Sequence, residues 1–199
     1  MARITLNKSA LTRAGRQLQV FQRFRPSLDM KRRQLLAERA AARKQLAEFE
    51  GALEKNNLSV ADNVPMLSAS GLDLRQLVKV SGVDLDEENV MGVRLPVLRD
   101  ISIEVQAYGL LSKPHWVDRL VEYLREILAL KVRIQVQSQR LKHLDRAVQV
   151  ITQRVNLFDK VLIPNTRATI KRIQLHLADV ERAAVVRAKL AKAKREREQ

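Results

Sequence analysis

Two apolar stripes in alternating steps of three and four residues, one near each end of the chain, leave few folds open to it. The first runs Leu11, Ala14, Leu18, Phe21, Arg25, Leu28, Arg32, Leu35, Arg39, Ala42, Leu46, Phe49 and Leu53. That is a sustained heptad seam interrupted only by three arginines, all at the same heptad position. The second runs Val117, Leu120, Leu124, Ile127, Lys131, Ile134, Ser138 and Leu141. It shifts register at Leu144, continues through Val148, Ile151, Val155, Phe158 and Leu162, and resumes beyond Pro164 as Thr166, Ile170, Ile173, Leu177, Val180 and Ala184. The adjacent three-residue and four-residue steps are stammer-like and stutter-like defects, which locally overwind or unwind a coiled coil. Neither stripe is stable alone in water, and the simplest partner for each is the other.

Composition agrees. Only 4% of the 199 residues are aromatic, and Gly and Pro together number 11. A compact enzyme of this length uses more of both for core volume and turns, whereas Ala, Leu, Val, Gln, Arg and Lys favour long helices. Pro26 is expected to kink the first helix and Gly51 with Asn56-Asn57 to end it; Ser112-Lys113-Pro114 is expected to start the second, and Pro164 to kink that one.

Between the stripes the pattern changes. Four of the six glycines (Gly71, Gly82, Gly92, Gly109) lie there. Ile101 to Ala107 alternates with period two, as a half-buried strand does. Leu77 to Val83 and Val90 to Leu98 are further strand candidates, with Asp84-Leu85-Asp86-Glu87-Glu88-Asn89 expected as an acidic turn and Pro96 at an edge or bulge. The expected fold is therefore mainly α: a long antiparallel coiled-coil hairpin with a small β-containing head. Its segments are a helix over 1–58, the head over 59–111, and a longer helix with a basic tail over 112–199.

If both chain ends lie together, contacting residue numbers add to about 200. Arg25, Arg32 and Arg39 then fall near positions 175, 168 and 161, beside the polar stretch Asn156, Asp159, Asn165, Thr166 and Thr169. Arginines in a seam either find such acceptors, forming a waist with Asp159, or extend their heads to solvent.

No cysteine is present, which excludes a disulfide framework, a thiolate zinc site and a cysteine nucleophile. Met1-Ala2-Arg3-Ile4-Thr5-Leu6 has no apolar run behind its charge and is not expected to be a signal peptide, and no uncharged apolar stretch approaches the ~18 residues of a membrane span. His115, His143 and His176 are scattered, the acids sit at helical i,i+4 spacings, and the glycines are too far apart to cradle a phosphate. No catalytic, metal or cofactor constellation emerges, so a non-catalytic scaffold or mechanical protein is expected. The net charge is +15, and no acid occurs before Asp29. Both ends are basic: Arg3, Lys8, Arg13 and Arg16 at one, Arg187, Lys189 and Lys192 at the other. Solvated helix faces, an acidic protein partner, anionic lipid and nonspecific nucleic acid all fit that charge.

Several short elements then add a family. Arg154-Val155-Asn156, Ile163-Pro164, Thr169-Ile170, and Leu177-Ala178-Asp179 with Glu181-Arg182 follow one another in order. The segment Val90-Met91-Gly92-Val93 stands mid-chain, and Leu28, Lys31 and Arg32 near the beginning, with Pro26 an addition. The chain resembles the D subunit of the V/A-type rotary ATPases. That resemblance implies a central rotor shaft without cofactor, coupling ATP hydrolysis or synthesis in a catalytic ring to proton or sodium translocation. The implied partners are the catalytic and regulatory components of the ring, the small central-stalk F subunit, and the C subunit that forms the membrane-rotor socket. The implied position is cytoplasmic and peripheral to the membrane. The alternative is a coiled-coil adaptor, such as an export-ATPase stalk or a basic hairpin on nucleic acid.

Overall fold

The computed structural model describes residues 5–69, 77–106 and 114–198. Helix α1 spans Lys8–Asn63 and ends in a short 3-10 turn, Pro65–Ala69; strands β1 (Val78–Val90) and β2 (Val93–Val105) form a hairpin. Helix α2 spans Trp116–Leu157, a π turn covers Phe158–Leu162, and α3 completes the chain over Ile163–Glu198. The main-chain fold is thus mainly helical with one two-stranded antiparallel sheet. Among the described residues no helix is long and apolar enough to cross a membrane.

Local chemistry sets the element ends. Asn7 caps α1: its Oδ1 accepts the Ala10 amide at 2.7 Å, which satisfies one of the orphan donors of the first turn. The helix then runs through Pro26 and past Gly51 to Asn63. Sequence placed its end between Gly51 and Asn57; a lone helical glycine costs only about 1 kcal/mol relative to alanine, and Leu53 and Val60 keep the inner face apolar beyond it. Pro65 is where α1 stops, and Val117 opens α2 by donating to the Pro114 carbonyl at 3.0 Å. The expected Ser112-Lys113 start lies outside the described residues.

The head differs from expectation in two respects. Val90–Leu98 is not one strand, because the chain reverses inside it and the part from Val93 on runs into the expected Ile101 strand as β2. Asp84 to Asn89 is not a turn but part of β1, paired from Asp84↔Asp100 to Asn89↔Arg94. The reversal comes at Met91 (φ 53°) and Gly92 (φ 79°), two successive left-handed residues as a tight hairpin turn requires. Asn89 Oδ1 accepts the Gly92 amide at 2.8 Å and stabilises it. Acidic side chains tolerate the strand because a two-stranded ribbon leaves them in water, and Arg99 pairs with Asp86 at 2.6 Å. Pro96 is accommodated because both strands are edges, so its missing donor need not face a partner. Register shifts at Val80/Gly82 and Asp84/Leu85 add local twist.

By contacts the chain divides into two compact units, Met1–Arg32 with Val150–Gln199, and Arg33–Gln149. In the second unit, α1 and α2 run antiparallel: Asn63 meets Tyr123, Asn56 meets Glu126, and Gln137 meets Ala42. Leu77 and Val78 at the hairpin base pack on Val117 and Val121, with Ile103, Trp116, Leu124 and Leu128 around them. In the first unit α1 meets the π turn through Phe21 with Phe158 and Arg25 with Asp159, and Ala14, Ile151, Val155, Ile163 and Ile173 are buried.

Candidate functional site

The three seam arginines do not share one waist. Contacting pairs such as Ala42 with Gln137 and Arg25 with Asp159 have numbers adding to roughly 180, not 200. The expected positions 175, 168 and 161 are therefore replaced by nearer partners on the chain.

In the first unit, Arg25 holds Asp159 through two contacts, Nε to Oδ1 at 2.6 Å and an Nη nitrogen to Oδ2 at 3.2 Å. The planar fork of arginine fits a carboxylate in this way. The hydrogen bond from Arg25 holds the Asp159 carboxyl below the usual range; desolvation opposes it, and the charges of Arg25 and Arg32 add to the lowering. Arg32 turns to Asp29 on its own helix at 2.6 Å, leaving its buried Nε without a hydrogen-bond partner. Phe21 meets Phe158 edge-on at 5.5 Å, the favoured geometry for opposed ring quadrupoles. The wide turn beside them has a chemical cause. Pro164 lacks the amide that would reach Lys160, and Ile163 donates instead to the Phe158 carbonyl five residues back. Val155, Ile163 and Ile170 face inward, Thr169 is half-buried, and Arg154, Asn156 and Pro164 stay exposed.

Arg39 belongs to the second unit and lies 3.5 Å from Asp145. Sequence reading missed two neighbours there. Gln137, not Ser138, is the buried polar residue of α2, donating to the Ala42 carbonyl at 3.2 Å and Gln45 at 3.0 Å. Arg140, with 15% of its side chain exposed, contacts Glu88 of β1 at 2.9 Å and Glu38 of α1 at 3.8 Å. It ties the hairpin to the helix pair. The register of roughly 180 was the signal that would have found both, but it depends on the hairpin's length rather than on either helix.

With that register the last part of α3 is exposed. Every residue from Asp179 to Arg197 is exposed, including Val180 and Ala184, which the stripe had placed inside. Arg187, Lys189 and Lys192 lie on this exposed end, and Lys8, Arg13 and Arg16 are exposed at the start of α1; Arg3 lies outside the described residues. Lys192 is 3.7 Å from Glu196, and the Arg187 guanidinium donates to the Ala183 carbonyl. Charge is sharply divided between the units. The first carries 20 Lys and Arg against 6 Asp and Glu, a balance of +14; the second carries 17 against 16. Among the described residues no group of three or more metal-ligating side chains forms.

The family model for the ATP synthase D subunit matches residues 10–193. The chain is similar to the V-type ATP synthase D subunit of Borreliella burgdorferi, 32% identical over 198 residues that cover 96% of this chain and 95% of that one. It is similar to the D subunit of the Chlamydia caviae V-type ATP synthase, 31% identical over 97% of this chain and 94% of the relative. The corresponding Chlamydia abortus protein is 32% identical with the same coverage.

Proposed function

The chain belongs to the ATP synthase D-subunit family and is a central-stalk component of a V/A-type ATPase, and from that premise we propose that it acts as a non-catalytic rotor shaft. The observation that carries the reading is the basic end of α3, about five helical turns exposed from Asp179 to Arg197. This end exposes Val180, Val185, Val186 and Leu190 among its basic residues, which suits a helix that a partner surrounds. The catalytic and regulatory subunits of the ring would surround it, with Arg3, Lys8, Arg13, Arg16, Arg187, Lys189 and Lys192 as their contacts. The segments 1–58 and 112–199 serve as the shaft. The head over 59–111 faces the small F subunit of the stalk and the C subunit of the membrane-rotor socket. The chain works on the cytoplasmic side and meets the membrane only through those partners.

Nucleotide chemistry then belongs to the ring. A shaft whose faces differ presents a different surface to each ring site in turn and so biases which conformation each adopts. Rotation passes to proton or sodium translocation, and runs either way. Arg25 with Asp159, and Arg140 with Glu88 and Glu38, keep neighbouring segments from slipping, which torque transmission needs.

The balance of +14 in one unit favours a second reading, a basic adaptor on nucleic acid. One experiment separates them: purification of the tagged chain from its own cells at high salt. Recovery of a stoichiometric ring with ATPase activity supports the shaft. Recovery of nucleic acid that washes off with salt, and no ring, supports the adaptor, because counterion-driven binding falls steeply with salt.

A further inference from the structure

We propose that the second unit holds a binding site for a small anion with a flat apolar body, in a cleft where the hairpin lies over α1 and α2; the site stands independently of the shaft reading. The hairpin runs lengthwise along α2. Its base packs Leu77 and Val78 on Val117 and Val121, Arg140 holds Glu88, and the turn at Gly92 and Val93 shares a cleft with Gln139 and His143. From Val117 to His143 a helix advances roughly 39 Å, and a strand of 13 residues spans roughly 43 Å, so the ribbon follows the helix over its whole length. Its twist keeps it from lying flush, and gaps remain beneath it. One gap, of about 370 Å³, is walled by Phe49 of α1, Val136 and Gln137 of α2, and Pro96, Val97 and Leu98 of β2. That is within the range of small-molecule sites, roughly 300–1,000 Å³, and too small for a helix about 10 Å across.

The floor of this cleft is fixed. Gln137 is 8% exposed, and its amide donates to the Ala42 carbonyl and to Gln45 Oε1. Arg140 closes one end between Glu88 and Glu38, so the charge of Glu88 is already matched. Arg133 stands at the other end, two turns earlier on the same face of α2, exposed and without an ion pair among the described residues. Gln45 uses its side-chain oxygen on Gln137 and keeps its amide hydrogens for a ligand. A guanidinium binds a carboxylate or sulfonate through two parallel N–H donors, which fixes the head of the ligand. Phe49 offers a ring, and Val97, Leu98 and Val136 offer aliphatic walls, which suit a flat apolar body. The neighbouring cleft under Ile103 is the contrast: Glu122 and Glu126 outnumber Arg125 there, and an anion is repelled. A ligand in the first cleft touches β2 and both helices at once, so it holds the hairpin in place.

The test titrates the full chain with 2-naphthoate, and with 2-naphthalenemethanol as its uncharged counterpart, read by naphthalene fluorescence. The parent takes up one naphthoate per chain and binds the alcohol about tenfold more weakly, since the charged hydrogen bonds are missing. Arg133→Gln weakens the acid about tenfold and changes the alcohol by less than about twofold. Arg125→Gln, in the neighbouring cleft, binds both as the parent does. Val97→Trp fills the cleft and loses both while circular dichroism stays unchanged; if that variant unfolds, Arg133→Gln decides alone. With naphthoate at about ten times its Kd, amide-exchange protection over Val93–Val105 rises about tenfold, as it does when only the closed hairpin binds. Absence of saturable binding overturns the proposal. So does equal weakening by Arg125→Gln, which means a diffuse basic surface, or hairpin protection that bound naphthoate leaves unmoved. Each of these leaves the shaft reading intact, and a chain that recovers no ring leaves the cleft intact.

Discussion

At the scale of single residues, the ion pairs and the buried leucines do different work. The Asp159 carboxyl titrates below the ordinary value near 3.9, because Arg25 binds its charged form. A carboxylate with a depressed folded-state value contributes stability that is complete above its unfolded value and is lost as pH falls through the folded one. Melting of the parent and of Asp159→Asn should therefore differ slightly at neutral pH, the variant being lower, and the two curves should converge in acid. A gap that persists or widens in acid would assign the effect to packing instead. The contribution is small because Arg25 is half-exposed and solvent screens the pair. Leu144 behaves otherwise. It is fully buried where the stripe changes register, so Leu144→Ala removes a side chain the neighbours cannot replace. Chemical denaturation should show a loss of about 2–5 kcal/mol.

At the scale of elements, the hairpin rests on two anchors, its turn and Arg140. Gly92 has φ 79°, where a Cβ is strained, so Gly92→Ala should lower stability by about 1 kcal/mol, read by denaturation. Arg140→Leu leaves Glu88 and Glu38 facing an apolar surface, and the first change should appear in the hairpin. Amide exchange is the measurement: protection should fall over Val78–Val90 and Val93–Val105 and stay unchanged over α3. Equal loss across the whole chain would mean that Arg140 supports the helices rather than the hairpin. The acidic run Asp84–Asn89 shows why this element was only half legible. Strand propensity discounts Asp and Glu because most sheets bury a face, but here the ribbon's outer face stays wet and the pairing decides.

At the scale of the whole molecule, the exposed end of α3 carries the sharpest prediction. Deleting residues 181–199 removes a segment exposed from Glu181 to Arg197, so melting of the remainder should hardly change while association with the ring fails. A large drop in melting temperature would mean that the end supports the fold. The sequence by itself determined the two seams, the β-containing middle, the basic ends and the family's short elements, because heptad spacing, period-two alternation and charge are local properties of the chain. The tertiary structure alone decided the register between the seams, and with it the partners of Arg25 and Arg39, the burial of Gln137 and the length of α3 left uncovered. The reason is that a regular seam offers nearly equal packing at several offsets of one heptad. The choice among them falls to what is fixed elsewhere, at the hairpin base around Val117 and at the arginine pairs, where a shift would strand a charge.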